Sequence, residues 1–233
     1  MQRKYVTAMS RSIFDAYGHN MLKTFCQYWP KGEMVVYCEE GELPFKDKRV
    51  YYKPLMSIPG LSRFLTAVGN FPIMSGFVPD GKNYRFNVNA FCRKAFSQMD
   101  AANGFKGHLM WVDADVITTK HIPGAMLEGM MKGTFIALMK RKTWHVCSSF
   151  VGWDCGHAFS EDWFRHYREV YEKGYIFLES QWDDAFTLER VCNNFPGVKD
   201  IAEHVTGEGP YNVFDDVFRG YAYHMKGNLK KSA

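Results

Sequence analysis

Apolar positions along this chain alternate between two spacings, and the switches mark out the elements. Residues 5–9 form a short apolar run. Over 12–28, Ile13, Tyr17, Met21, Leu22 and Phe25 recur at helical spacing until Pro30 closes the stretch. MVVYC at 34–38 predicts a second strand, and 50–52 a third. Residues 54–84 hold Pro54, Pro59, Pro72 and Pro79 with several glycines, which predicts irregular or only briefly helical structure. Over 85–102, Val88, Phe91, Ala95, Met99 and Ala102 share one helical face while Arg85, Asn89 and Arg93 share another. A strand at 109–112, a short helix at 126–131, strands at 135–139 and 147–153, and helices at 160–173 and 183–192 follow. The tail YAYHMKGNLKKSA is short, basic and broken by glycine. Strand–helix–strand alternation of this kind predicts crossover units on a mostly parallel sheet, hence a single α/β domain. In such sheets ligands bind beyond the carboxyl ends of the strands.

Composition narrows the class. The 233 residues are 46% hydrophobic and 16% aromatic, enough for a large core and incompatible with a disordered chain. A net charge of +4 tolerates an anionic ligand but falls short of a dedicated nucleic-acid stripe. Six dispersed cysteines, none in a CxxC pair, predict reduced and mostly buried thiols. With no apolar leader and no run long enough to span a bilayer, the expectation is a cytoplasmic protein without a membrane anchor, in the host cytoplasm if viral. The pattern sets no oligomeric state.

The candidate chemistry starts in HLMWVDADVITTKHIP, residues 108–123. Here a strand runs directly into Asp113 and Asp115 with only Ala114 between them. Thirteen aspartates in a chain of this length give roughly one Asp-x-Asp pair by chance, so the motif alone is weak. A pair of acids capping the next segment is the bland reading. Its place at a strand's carboxyl edge favours function. Two carboxylates this close repel each other, and a divalent cation removes that cost. Hard oxygen ligands suit Mg²⁺ or Mn²⁺.

The segment MWVDADVITTKHIP resembles the metal-binding DxD segment of GT-A glycosyltransferases. HMKGNLK, beginning at His224, is similar to the H-x-x-G-x-x-K pattern that closes the donor site in the glycogenin and lipopolysaccharide galactosyltransferase group. The resemblance implies a GT-A, Rossmann-like fold: a mostly parallel central sheet flanked by helices. It also implies a nucleotide-binding half at about 1–116, an acceptor half at about 117–220, and a tail over 221–233 closing the donor site. It makes Asp113 and Asp115 metal ligands, with Asp113 also near the donor ribose, and His224 the third protein ligand. Gly227 and Lys230 would meet the diphosphate of the donor, for which a UDP-sugar is expected. The family's usual Pro-Trp after that lysine is replaced here by Lys231-Ser232.

ESQWDDAFTLERV holds a second acid pair, Asp183 and Asp184, at a helix start. Acids there cap a helix and complement its dipole. The segment also resembles the acidic motif that GT-A enzymes place beneath the anomeric carbon, which implies a catalytic role for Asp184, as general base or as a ligand of donor-sugar hydroxyls, with Asp183 as the cap. FVGWDCGHAFSEDWF resembles the strand and turn before that motif. This implies that Asp154 faces the sugar, with Gly152 and Gly156 permitting close backbone approach; a plain turn acid is the competing reading. Arg93 and Lys94 occupy the region where related enzymes place a cation near the donor, and one of them is expected to be a solvated helix-face charge.

The compact form, with its WDD-x-F segment and HMKGN tail, is also similar to small glycosyltransferases of tailed phages, some of which modify hydroxymethylated bases in DNA. That implies DNA as one acceptor, in keeping with the basic loops 46–49 and 140–142. A glycan, lipid or protein acceptor is the alternative. A sugar-phosphate nucleotidyltransferase would share the sheet and the metal carboxylates, but TAMSRSIFDAYG lacks the glycine-rich loop that class needs after its first strand. A non-catalytic nucleotide-binding module is the third class.

Overall fold

The computed structural model describes residues 1–69, 71–203 and 211–225. Eleven strands appear among them, in chain order: β1 (Arg3–Met9), β2 (Glu33–Cys38), β3 (Val50–Pro54), β4 (Phe77–Val78), β5 (Gly81–Lys82), β6 (His108–Val112), β7 (Val116–Thr118), β8 (Ile136–Met139), β9 (Cys147–Asp154), β10 (Val198–Asp200) and β11 (Ala222–His224). Seven form one sheet in the order β10-β8-β9-β6-β1-β2-β3. Only β9 runs against the others, pairing antiparallel with both β6 and β8. The remaining neighbours are parallel. This is the mostly parallel single-domain α/β architecture expected from the alternating pattern.

Strands at the centre of such a sheet are covered on both faces, so they read as continuous apolar runs. In β6 every residue of HLMWV is buried. Its side chains divide by parity: Leu109 and Trp111 enter one core with Val88, Cys92, Phe96, Trp163, Tyr167 and Tyr171, whereas Met110 and Val112 enter the other with Leu22, Phe25, Trp29, Phe150 and Phe218. The helix Val88–Ala102 covers the first face and the helix His19–Tyr28 the second. Strand order reverses at β1, with β2 on one side and β6 on the other. A crevice at this switch point, beyond the carboxyl ends of β1 and β6, is where such a sheet binds ligands.

Several elements differ from the sequence reading. The helix expected over 12–28 starts at Arg11, capped by Ser10, and passes through a π-helical turn at Phe14–Gly18. That turn lies against the end of β1: a Cβ at Gly18 would come within 2.7 Å of Met9 Sδ. Within the stretch expected to be irregular, Leu61–Val68 is a full helix. Its core contacts, Leu61, Phe64 and Val68, were present as a helical repeat, and Gly60, held at φ +86°, turns the chain into it. The charged helix begins at Val88, later than expected, because Asn87 caps it by accepting from Ala90 N. All six cysteines are free, and all but Cys26 are buried.

Candidate active site

Asp113 and Asp115 leave the carboxyl end of β6 and sit in the switch-point crevice. Asp113 N donates to Ser149 O at 3.0 Å, tying the turn to β9, and Val116 N donates back to Asp113 O at 3.3 Å. The chain then enters β7. The tail strand β11 pairs antiparallel with β7, which sets His224 opposite Val116 and lets Met225 N donate to Asp115 O at 2.9 Å. Two three-residue strands therefore carry a histidine from the far end of the sequence to the acid pair.

Ligand atoms of Asp113, Asp115 and His224 lie within 4.8 Å of one another. His224 Nε2 is 2.7 Å from Asp115 Oδ1 and 3.6 Å from Asp113 Oδ2. Among the described residues this buried nitrogen makes no well-aligned hydrogen bond. Phe214 stacks on the His224 ring at 6.2 Å between centroids, and Asn212 Nδ2 lies 3.5 Å from His224 Nδ1 while donating to Ser149 Oγ at 2.9 Å. The ring is thus held from behind and from its other nitrogen.

Lys94, on the Val88–Ala102 helix, binds the acid pair to the second acidic segment. Its Nζ is 2.8 Å from Asp113 Oδ1, 2.7 Å from Asp184 Oδ2 and 2.7 Å from Ser148 O. Burial works against charge on Lys94, but the carboxylates of Asp113 and Asp184 outweigh it and hold its pKa above the ordinary value. Burial likewise opposes charge on Asp113, and Lys94 with His224 overrides it, so that the carboxyl lies well below the usual range. Trp111 Nε1 donates to Asp113 Oδ1 at 2.6 Å as well. His224 is pushed up to about 9: burial lowers it, but the two facing carboxylates, Asp113 and Asp115, prevail.

The charge count supports a cation. Asp113, Asp115 and Asp184 bring three carboxylates, and Lys94 brings one ammonium. With the His224 imidazole neutral, as a metal ligand must be, two negative charges remain, a partly buried excess that a divalent ion offsets. Two carboxylates and an imidazole suit Mn²⁺ or Mg²⁺, with Mn²⁺ the better match for the nitrogen. The residues present therefore fit the metal that the sequence implied.

Two cavities flank this cluster. One of 380 Å³ runs from the acid pair along the ends of β1 and β2, lined by Met9, Tyr17, Glu39, Leu55, Arg93 and Lys94 among others. Arg93 Nε pairs with Glu39 Oε1 at 3.1 Å on its wall. The other, of 710 Å³, lies on the far side of Asp184 and includes Tyr84, Arg85, Trp144, His145, Asp183 and His224. Asp184 borders both.

Most of the residues singled out from the sequence converge here: Asp113, Asp115, His224, Arg93, Lys94, Asp183 and Asp184. Asp183 Oδ1 accepts from Ala185 N and Phe186 N, each at 3.1 Å, and so caps its helix, and burial pushes its carboxyl up. Asp154 does not join them. Because β9 runs antiparallel to β6, Asp154 pairs with His108 at the opposite edge of the sheet from Asp113. Its Oδ1 accepts from Gly156 N at 2.9 Å, the work of a turn acid. Gly227 and Lys230 lie outside the described residues. Arg93 and Lys94, of which one was expected to be solvated, both line the smaller cavity. Sequence reasoning passed over Trp111, Asn212 and Phe214. Trp111 had a signal, since it lies two residues before Asp113 on a strand and therefore shares its face; the other two had none.

No family model matches the sequence, and no curated protein matches it. The fold does find counterparts among solved structures. Mouse xyloside xylosyltransferase 1 in its apo form superimposes with a TM-score of 0.57 at 12% identity, over 98% of this chain and 99% of that one. An active-site mutant of LgtC gives 0.53 at 9% identity, over 96% and 87%. A glycosyltransferase involved in glycosylation of the PBCV-1 major capsid gives 0.51 at 11% identity, over the whole of both chains. Against the larger bifunctional WbbM, the chain spans 39% of that protein, with a TM-score of 0.51. With a reversal of strand order at β1 and an Asp–Asp–His cluster in the crevice beside it, this chain has the fold of the GT-A glycosyltransferases.

Proposed function

We propose that this protein is a divalent-metal-dependent glycosyltransferase that moves a sugar from a nucleotide-sugar donor, a UDP-sugar, to an acceptor hydroxyl. The observation that carries the reading is the convergence of Asp113, Asp115 and His224 at the switch-point crevice. Asp113, Asp115 and His224 Nε2 would hold Mn²⁺ or Mg²⁺. When bound, the ion would supply neutralising charge to the diphosphate leaving group. Lys94 holds the Asp113 carboxylate in place and also fixes Asp184, whose Oδ2 it occupies, leaving Oδ1 to accept from a donor-sugar hydroxyl. The 380 Å³ cavity is the donor's nucleotide site, with the Arg93–Glu39 pair on its wall. Gly227 and Lys230 of the tail are assigned to the diphosphate, on the strength of the HMKGNLK pattern.

The acceptor we favour is a hydroxymethylated base in phage DNA, in line with the likeness to small phage enzymes and the basic loops around 46–49 and 140–142. The test is a panel of nucleotide sugars incubated with the protein and Mn²⁺ in the absence of acceptor, read as release of the nucleoside diphosphate. Slow hydrolysis of one donor, abolished by EDTA, is expected. Binding of a nucleoside diphosphate without hydrolysis of any sugar donor would point instead to a non-catalytic module. No binding with or without metal would refute the proposal.

A further inference from the structure

The 710 Å³ cavity beyond Asp184 has a wall whose polar groups are mostly committed within the protein. Asn212 donates to Ser149 Oγ at 2.9 Å and accepts from Phe214 N at 3.0 Å. Asp183 caps its helix, and Asp184 is held by Lys94. His145 Nδ1 is 2.5 Å from Glu189 Oε2, and its Nε2 contacts the Gln181 amide. A neutral glycan is read by side-chain amides and carboxylates that are free to meet its hydroxyls. This wall offers few.

What it does offer is aromatic surface and positive charge. Tyr84 is 56% exposed and Trp144 41%, and both line the cavity. Tyr211, 40% exposed, stands beside them, since its carbonyl accepts from Arg141 Nη1 at 3.3 Å. Arg141 is fixed by the carbonyls of His145, Val146 and Tyr211, which orient the guanidinium without neutralising it. Among the described residues neither Arg141 nor Arg85 is paired with a carboxylate, and Arg85 is exposed at the rim. Flat apolar faces beside uncompensated guanidinium groups form a site for a ring that carries a phosphate next to it.

We infer that this cavity is the acceptor site and that it takes one nucleotide unit of a nucleic acid, its base against Trp144 and Tyr84 and its flanking phosphates on Arg85 and Arg141. The inference rests on the glycosyltransferase reading above, and it names the residues that choose the acceptor. The base enters from the side of Asp184 opposite the nucleotide cavity, so its hydroxyl and the donor sugar would meet at that carboxylate.

The test is fluorescence anisotropy of a labelled single-stranded oligonucleotide containing hydroxymethylcytosine, with Mn²⁺ and UDP present. A stacked base and a phosphate contact each carry enough energy that Trp144→Ala and Arg85→Ala should weaken binding by about tenfold or more. Arg85→Lys should retain most of the affinity, and wild-type binding should fall steeply with added salt. Tyr84→Ala repeats the stacking test at a second, more exposed position, and thermal melting checks that each variant is folded. Unchanged affinity in all three alanine variants would overturn the inference. So would displacement of the oligonucleotide by a neutral oligosaccharide such as maltoheptaose, which would assign the cavity to a glycan. Metal-dependent binding of UDP by the wild-type protein, measured in parallel, separates the two readings: UDP binding without oligonucleotide binding sinks only the acceptor assignment, whereas loss of UDP binding sinks the glycosyltransferase reading itself.

Discussion

Metal binding at this site should be an exchange of one cation for another. Without metal, His224 is held between Asp113 and Asp115 and pushed up to about 9, so at pH 7 its imidazole carries a proton. Lys94 keeps its own proton throughout, and the Asp113 carboxyl, far below the usual range, holds none. A metal ion therefore has to displace the His224 proton. Two pH units below that value, the displacement costs roughly 2.7 kcal/mol, an affinity about a hundredfold weaker than the site reaches once His224 is neutral. Calorimetric titration with Mn²⁺ between pH 6.5 and 8.5, in buffers of differing ionisation enthalpy, should show release of about one proton per ion and affinity rising about tenfold per pH unit. In His224→Gln the affinity should be lower and nearly independent of pH. The sign for folding runs the other way. A pKa raised from the ordinary 6.5 contributes stability that is complete below about pH 6.5 and lost as pH rises through about 9. With EDTA present, the difference in Tm between wild type and His224→Gln should therefore shrink over that interval. An affinity for Mn²⁺ that stays constant from pH 6.5 to 8.5, with no proton released, would refute the arrangement of His224 between the two acids.

Three further outcomes test the neighbouring residues. Asp115→Ala and His224→Ala should each abolish turnover while leaving the circular dichroism spectrum intact; full activity in either would remove the metal-site assignment. Lys94→Met strands the carboxylates of Asp113 and Asp184, so it should cost about 3–5 kcal/mol and lower Tm by about 10 °C in calorimetry. Adding Asp184→Asn to Lys94→Met should recover part of that loss, and strictly additive penalties would argue against the bridge. Asp183→Asn keeps a side-chain acceptor at the helix start and should preserve both fold and turnover, whereas Asp183→Ala should lose about 1 kcal/mol in denaturant unfolding from the missing cap. A collapse of activity in Asp183→Asn alone would move the chemistry from Asp184 to Asp183.

The legible part of this molecule was local. Continuous apolar runs predicted the central strands β1, β2 and β6, because a strand covered on both faces has no polar side to show. The termination of HLMWV at Asp113 placed the acid pair at a sheet edge for the same reason. The capping role of Asp183 was visible too, since caps are decided within one turn of chain. Leu61–Val68 shows the limit of punctuation: the surrounding prolines and glycines masked an intact helical repeat.

What the tertiary structure decided depends on direction and on distance along the chain. A hydrophobic pattern reads the same in both senses, so nothing in CSSFVGWD announced that β9 runs against its neighbours, and that sense alone carries Asp154 to the edge away from Asp113. Arg93 and Lys94 are adjacent on one helix, about 100° apart around its axis. Only the docking of that helix on the sheet sends Lys94 between Asp113 and Asp184 and Arg93 to Glu39. His224 reaches Asp115 through a pairing of three residues on β11 with three on β7, too short for any periodic signal and stable only because the core beneath it is already formed. The amino-acid order supplied the acid pair and the histidine, and the edge on which the two acids stand. The completed cluster, with His224 beside the acid pair and the Lys94 ammonium between Asp113 and Asp184, exists only once long-range packing has closed the loops between them, and no local preference along the chain encodes that closure.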